Sequence, residues 1–578
     1  MRGRSRDRES GNFTVKTILP RLTCAELLPE RDRALDAAMS PFRPYRQARC
    51  SRQCCRFLAS GGPHGSQTNA SVSAVEHFEQ PDSTAKERKD QQFLKGEYEM
   101  LMGTTTRMTS KVICAGAVLP SDFSLAIGSM ILALLPLQQA VPQKMPAIDS
   151  NGQAGMASTN HCHVGTYRLS DGRDVDIGPD EENLVWHMKD GMVGELTPTA
   201  DGSWSSTRGM TGRPDGKRVS FGDCTAGRIL FDGVEGHLVA FDVFETSFQG
   251  AGVTLAGRLV MPKSKDPVPI VVLVHGADRG SALEGGGAFA LQRLFPSAGI
   301  GAFVYDKRGT GASGGKFSHD YLTLADDAVA AMREAKHLAG ARALRIGYLG
   351  TSQGGWVAPL AAKIEAVDFV MVAYGLAISP LEEDRSCLAL DLTRRGYGAD
   401  ALAKAMEVAD ATSAVLLSNF RDGYDQVEAV RRKYEHEPWF PLLHGNVSFL
   451  ILQRPPAELK ELGPTLFPGA PLQYDPMPVL RNLRTPQLWV LGKDDIDAPS
   501  AETAARLRAL AASGSPITTA MFPNAEHGMW EYVVAPDGTR VSTRQPEGYF
   551  RMLVDFARDG WLHGAYGADL ISDTERGK

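Results

Sequence analysis

The segment 344–360, LRIGYLGTSQGGWVAPL, constrains the fold of this chain more than any other. A short apolar run, Ile346-Gly347-Tyr348-Leu349, leads into Gly350-Thr351-Ser352-Gln353-Gly354, and a further glycine and an apolar stretch suited to a helix follow. In the order strand, sharp turn, helix, a G-x-S-x-G holds its serine in a strained turn with the hydroxyl clear of the sheet. Small residues two before and two after the serine are needed because the strand and helix backbones pass close together there. A serine hydroxyl is a poor nucleophile by itself. It needs a base to take its proton and an acid to orient that base, and both should come from later strand ends.

The surrounding pattern supplies such strands. Val268–Val274 is near-continuously apolar, as a strand buried on both faces is. Strands are expected over 302–305, 344–349, 369–374, 487–491 and 518–522, with helices over 322–338, 356–364, 501–512 and 549–557. This alternation implies an α/β architecture: a mostly parallel sheet with helices on both faces. A hairpin over 241–244 and 253–259 leads into it, giving a domain over 239–565. Residues 377–475 interrupt the alternation. They read as helical over 402–417 and 424–434 and proline-rich afterwards, which suits a helical lid inserted over a site.

Upstream, Asp-Gly pairs begin at 171, 190, 201, 215 and 232 and separate short alternating stretches. Asp-Gly between such stretches is a strong hairpin signal, because both residues tolerate positive φ. The expectation is a small antiparallel β-domain over 160–238, with Trp186, Trp204 and Phe221 in its core. His161 and His163 flank Cys162, but no further ligands follow at metal-binding spacing. Residues 1–107 are rich in Arg, Ser and Gln and read as a disordered extension or as sequence upstream of the true start. Residues 108–142 resemble an export signal, with Arg107 and Lys111 as the basic flank, 123–137 as the apolar stretch and Ala140 as a cleavage position. That stretch is too short for a stable membrane span of about 20 residues. Export from an internal start is therefore expected, to the periplasm or outside the cell; otherwise the protein is cytoplasmic. In an oxidising compartment Cys162 and Cys224 can form a disulfide.

Composition narrows the rest. A chain of 578 residues with 43% hydrophobic and 22% charged content has room for two or three globular domains. A net charge of −6 gives no reason to expect nucleic acid. With no phosphate loop of the Walker type, no C-x-x-C and no H-E-x-x-H, no cofactor and no metal are expected.

The base and acid appear in order. The strand at 487–491 is followed by Gly492-Lys493-Asp494-Asp495, and the strand at 518–522 by Pro523-Asn524-Ala525-Glu526-His527-Gly528. The candidate base is His527. Asp494, Asp495 and Asp497 compete as the acid, with Asp495 preferred. Oxyanion stabilisation needs two backbone N–H groups. Gln353, next after the serine, and Ala277, in the loop His275-Gly276-Ala277, are the candidates, and His275 reads as structural. The turn Tyr305-Asp306-Lys307-Arg308-Gly309-Thr310-Gly311 is glycine-rich but opens no helix directly, so Asp306 and Arg308 are expected to lock a turn rather than bind phosphate.

Together, Val274-His275-Gly276, the 305–313 turn, Gly350-Thr351-Ser352-Gln353-Gly354-Gly355, Gly492-Lys493-Asp494-Asp495 and Asn524-Ala525-Glu526-His527-Gly528 resemble the α/β-hydrolase superfamily over about 240–565. Bacterial esterases related to serine aminopeptidases and prolyl-oligopeptidase-like hydrolases are most similar. The resemblance implies an α/β-hydrolase fold with a Ser352–His527–Asp495 triad. It implies carboxylic ester hydrolysis through an acyl-enzyme, on a small-molecule acyl ester or a short peptide. The extra carboxylate of Asp497 departs from the family pattern and keeps it in competition with Asp495. A peptidase or amidase with the same triad is the first alternative, and a non-enzymatic binding module the second. The resemblance does not reach the 160–238 domain.

Overall fold

The computed structural model describes residues 162–180, 183–285 and 290–572. The expectations for 1–107, for 108–142 and for His161 lie outside them.

Eight antiparallel strands open the described part: β1 (Gly165–Leu169), β2 (Asp174–Asp180), β3 (Asn183–Met188), β4 (Val193–Pro198), β5 (Trp204–Thr207), β6 (Pro214–Phe221), β7 (Arg228–Phe231) and β8 (Val234–Leu238). Each pairs with the next, and β1 also pairs with β8, so the sheet closes into a barrel. Alternate residues face inward, and Tyr167, Val175, Ile177, Leu184, Trp186, Leu196 and Phe231 fill the interior, each at most 2% exposed. The indole N–H of Trp186 donates to Ser206 Oγ at 2.9 Å, so no polar atom of that ring is stranded. Four of the five Asp-Gly pairs lie in turns between strands, as their chemistry demands; at Asp232-Gly233 both residues have positive φ, 49° and 79°. Asp215-Gly216 instead lies inside β6, whose pairing with β5 is irregular. Cys162 and Cys224 are disulfide-bonded.

The second sheet has nine strands. β9 (Phe241–Gln249) and β10 (Thr254–Pro262) form the expected hairpin, followed by β11 (Val268–Val274), β12 (Gly301–Tyr305), β13 (Ala343–Thr351), β14 (Phe369–Ala373), β15 (Gln487–Gly492) and β16 (Ile517–Phe522). The strand order is β9-β10-β12-β11-β13-β14-β15-β16, with β12 to β16 all parallel and a last antiparallel strand, Asp569–Ser572, at the far edge. Along β11, Ile270, Val272 and Val274 face one layer of helices, and Val271 and Leu273 face the other. The first layer holds α2 (Tyr321–Ala339), α3 (Gly354–Ile364) and α10 (Ser500–Ala512); the second holds α1 (Leu291–Ser297) and α11 (Tyr549–Asp559). This is the α/β-hydrolase fold, with the expected antiparallel domain before it.

The insertion between β14 and β15 carries α4 (Pro380–Arg394), α5 (Ala399–Leu417), α6 (Tyr424–Tyr434), α7 (Ser448–Gln453), α8 (Pro456–Leu466) and α9 (Met477–Asn482). It has its own apolar core, including Leu388, Leu392, Val408, Trp439 and Leu459. The proline-rich second half is helical after all: Pro456 stands at the first helical position, where its missing N–H costs nothing.

A small hairpin after His527, β17 (Trp530–Val534) and β18 (Arg540–Arg544), docks on the barrel. The Met210 N–H donates to Ser542 O at 2.9 Å and the Gln545 N–H to Gly191 O at 2.8 Å. A buried ion pair ties the barrel to α1: Arg293 donates through Nε and Nη2 to both carboxylate oxygens of Asp176, each at 2.6 Å, and the two side chains are 2% and 0% exposed. Breaking such a pair leaves an uncompensated buried charge. Arg293→Met is expected to lower unfolding free energy by about 3–5 kcal/mol in urea titration. The double variant Arg293→Met/Asp176→Leu should lose less than the sum of the singles. Equal and additive losses would mean the pair is not coupled.

Candidate active site

The parallel strands deliver the chemistry-bearing loops to one edge of the sheet. Ser352 follows β13 directly and has φ 50°, the left-handed region that non-glycine residues rarely adopt. The crowding expected of the elbow is present. A Cβ on Gly350 would lie 2.2 Å from Gly354 O, and one on Gly354 would lie 2.0 Å from Val274 O. Only a residue without a side chain fits at either place, so the turn is held in its strained form by the backbones packed around it.

The sequence-expected base and acid meet the serine. Ser352 Oγ is 3.2 Å from His527 Nε2, and His527 Nδ1 is 2.9 Å from Asp495 Oδ2. The second oxygen of Asp495 accepts N–H bonds from Asp497 at 3.0 Å and Ala498 at 2.7 Å, so the carboxylate is fixed at both ends. Asp495 is 1% exposed. Of its two competitors, Asp494 accepts from the Tyr532 hydroxyl at 3.1 Å and lies outside the chain of bonds to Ser352. Asp497 meets Asp495 through its backbone N–H, and its carbonyl accepts from Cys387 Sγ and from Asn446 Nδ2, both on the inserted segment. Tyr374, also at positive φ, packs edge-on against the His527 ring at 4.9 Å.

Electrostatics bias this cluster. Burial works against a charged His527, but the Asp495 carboxylate, its hydrogen bond, and the charges of Asp497 and Glu383 outweigh burial and raise the imidazole above its ordinary value. Burial raises the carboxyls of Asp497 and Glu383, the latter to about 8. Of the acidic trio on α4, Glu382 caps its helix through Ser379 and pairs with Arg506, and Asp384 accepts from the Val447 and Ser448 N–H groups. Glu383 has no Lys or Arg partner among the described residues.

The Gly276 loop lies against the elbow: a Cβ on Gly276 would be 3.4 Å from Ser352 Cβ. Ala277, the next residue along that loop, and Gln353, next after the serine, are the two candidate oxyanion donors, on the segments that follow the neighbouring strands β11 and β13. His275 is buried, 3.6 Å from Asp278, and burial lowers its pKa. In the 305–311 turn, Asp306 accepts from the Ser281 hydroxyl and from the Ala282 and Ala312 N–H groups, and Arg308 pairs bidentately with Asp327 at 2.7 Å. Both residues lock loops, as expected.

Two residues at the site carry no mark in the sequence: Lys307 lies in the same turn and Tyr374 follows β14, and no local pattern distinguishes either. The Cys162, His163 and Cys224 ligand atoms lie within 4.8 Å of one another, but the two sulfurs are bonded to each other. A cavity of about 290 Å³ is lined by Phe248, Gln249, Ala330, Arg333, Glu334 and His337, none of them a candidate site residue.

Residues 271–539 match the Alpha/beta hydrolase family. Among curated proteins none matches the chain by sequence. Similar solved structures include an acylaminoacyl peptidase of Pyrococcus horikoshii, at 14% identity over 69% of this chain and 57% of that one, with a TM-score of 0.34. A Pyrococcus furiosus esterase is 14% identical over 50% of this chain and 84% of its own, with a TM-score of 0.33. Brefeldin A esterase, a bacterial homologue of human hormone sensitive lipase, is 17% identical over 56% of this chain and 78% of its own, with a TM-score of 0.34. The chain spans little more than half the length of the peptidase. Likenesses this distant say nothing of substrate. The sheet order, the elbow and the match over residues 271–539 agree on an α/β-hydrolase fold for the part of the chain from β9 onward.

Proposed function

We propose that the protein is a serine hydrolase that cleaves carboxylic esters. The observation that carries the reading is the hydrogen-bonded chain from Ser352 through His527 to Asp495, with the serine held at φ 50°. Ser352 Oγ attacks the acyl carbonyl as its proton passes to His527 Nε2. His527 then returns that proton to the departing alcohol. A water, deprotonated by the same nitrogen, cleaves the acyl-enzyme, and the serine is regenerated. Asp495 holds the imidazole with Nδ1–H toward it, and the N–H groups of Gln353 and Ala277 stabilise the oxyanion.

Peptidase action is the second reading, and Glu383 favours it. Burial raises the Glu383 carboxyl to about 8, and a substrate ammonium group beside it would favour its charged form. Export is the reading for localisation, supported by the Cys162–Cys224 disulfide, which belongs in an oxidising compartment. Among the described residues no helix is long and apolar enough to cross a membrane.

The test is turnover of p-nitrophenyl esters of graded acyl length beside aminoacyl p-nitroanilides. Ester hydrolysis is expected, and Ser352→Ala should reduce kcat by about 10⁶. Ester activity that survived the substitution would remove Ser352 from the mechanism, and a preference for the anilides would favour the peptidase.

The pH dependence follows from the base. His527 must be neutral to accept a proton, and its neighbours raise its pKa. Activity should therefore be lost as pH falls through a midpoint above the ordinary imidazole value of about 6.5. A kcat/KM profile with its acidic midpoint well below 6.5 would contradict the assigned environment.

A further inference from the structure

Lys307 sits on the loop after β12, in a turn whose neighbours Asp306 and Arg308 are spent on loop structure. The side chain is 4% exposed, so it carries an ammonium into the interior. Such a charge is tolerated only with good partners. Its Nζ donates to the carbonyl oxygen of Gly276 and, at 3.2 Å, to Gln353 Oε1. The Gln353 amide in turn donates to His319 Nδ1 at 2.6 Å. That bond requires a neutral His319, and burial together with the Lys307 charge lowers its pKa to about 3.

Of the two partners of Lys307, Gly276 immediately precedes the candidate oxyanion donor Ala277, and Gln353 is the other candidate donor itself. Strand order explains how one side chain reaches both: β11 lies between β12 and β13, so a lysine from the β12 loop passes behind the β11 loop to the elbow. The Gly276 carbonyl and the Ala277 N–H belong to one peptide unit. In a trans peptide these two groups point in opposite directions. A cation that pins the Gly276 oxygen therefore turns the Ala277 N–H away from itself. The loop lies against the serine, with a Cβ on Gly276 falling 3.9 Å from Ser352 Oγ.

We infer that Lys307 is a positioning residue for the oxyanion hole, which aims the Ala277 N–H and braces Gln353 from behind. This rests on the ester-hydrolase reading above. The ammonium touches no substrate atom. It orients one peptide dipole and polarises it, so that the N–H facing the substrate is a stronger donor when negative charge develops on the carbonyl oxygen. The charged and titratable groups around it are Asp278, His275, His319, Arg279 and Asp306, with the Phe317 ring 5.5 Å from Nζ.

The test is Lys307→Met in the full-length protein, read by three measurements on the same preparation. Loss of one oxyanion donor lowers kcat by about 10²–10³-fold. The Met variant should therefore show a kcat loss of about 10²-fold with KM within about 3-fold of wild type. Affinity for an alkylboronic acid, which takes a tetrahedral, oxyanion-bearing form on the serine, should weaken in parallel with kcat. The Lys307→Arg variant keeps a cation at the site and should hold boronate affinity within about tenfold of wild type. If Met unfolds the chain, the Arg variant alone reads the claim. Unchanged kcat in the Met variant, or boronate affinity that stays normal while kcat falls, would overturn the inference. So would an Arg variant that binds boronate as poorly as the Met variant does. If Ser352→Ala retained ester hydrolysis, the underlying reading would fail instead, so the two failures are distinguishable.

Discussion

Three backbones meet at Ser352, and the site depends on how little room they leave. Gly350 and Gly354 have no space for a Cβ, and a Cβ on Gly355 would lie 2.9 Å from the Gly375 Cα. The strand must turn into α3 there, and the residue at the apex takes φ 50° because the surroundings permit nothing looser. Strain of this kind costs on the order of 1–3 kcal/mol and persists only where packing enforces it. Here the enforcing parts are the fully buried strands β11 and β14 on either side. The elbow is thus a product of the sheet. Its hydroxyl lies 3.2 Å from His527 Nε2.

The parallel register does the rest. Val274 pairs with Gly350, Gly350 with Val372, Val372 with Trp489 and Trp489 with Thr519, so one row crosses the sheet from β11 to β16. Every loop that leaves beyond this row emerges on the same edge. The Gly276 loop, the elbow, the Asp495 loop and the His527 loop come from four different strands and converge because the strands run in step. The inserted helices then close over that edge. Cys387 and Asn446 hold the Asp497 carbonyl, while Thr465 and Pro468 accept from Arg279 and from the His319 N–H. The barrel is bonded to the hairpin that follows His527, through Met210 and Gly191.

Much of this was legible in the sequence because the informative signals are local. Uninterrupted apolar runs mark strands covered on both faces, and the residues just after them are the ones a parallel sheet gathers. Ser352, His527 and the Asp495 neighbourhood could be found that way. The sequence prefers Asp495 but keeps Asp497 in competition, since they stand two residues apart; the difference is that Asp497 spends its N–H on Asp495. Helix α4 carries its start signal in the sequence, where Ser379 and Glu382 form a capping box. The closure of the barrel was hidden for a different reason. It depends on β1 meeting β8, a pairing between residues some 70 positions apart that no window of sequence displays. Lys307 was unreadable for the same reason: a lysine in a glycine-rich turn looks solvated until the strand order places it behind two other loops.

The account stands on Ser352 as the atom that becomes acylated. Wild-type protein mixed with a short p-nitrophenyl ester, quenched in acid within the first turnover and digested, should yield the peptide that spans 344–360 with the mass of one acyl group added, and fragmentation should place that group on Ser352. An acyl group on another residue, or ester turnover with no acylated peptide alongside failure of a fluorophosphonate to label Ser352, would contradict it.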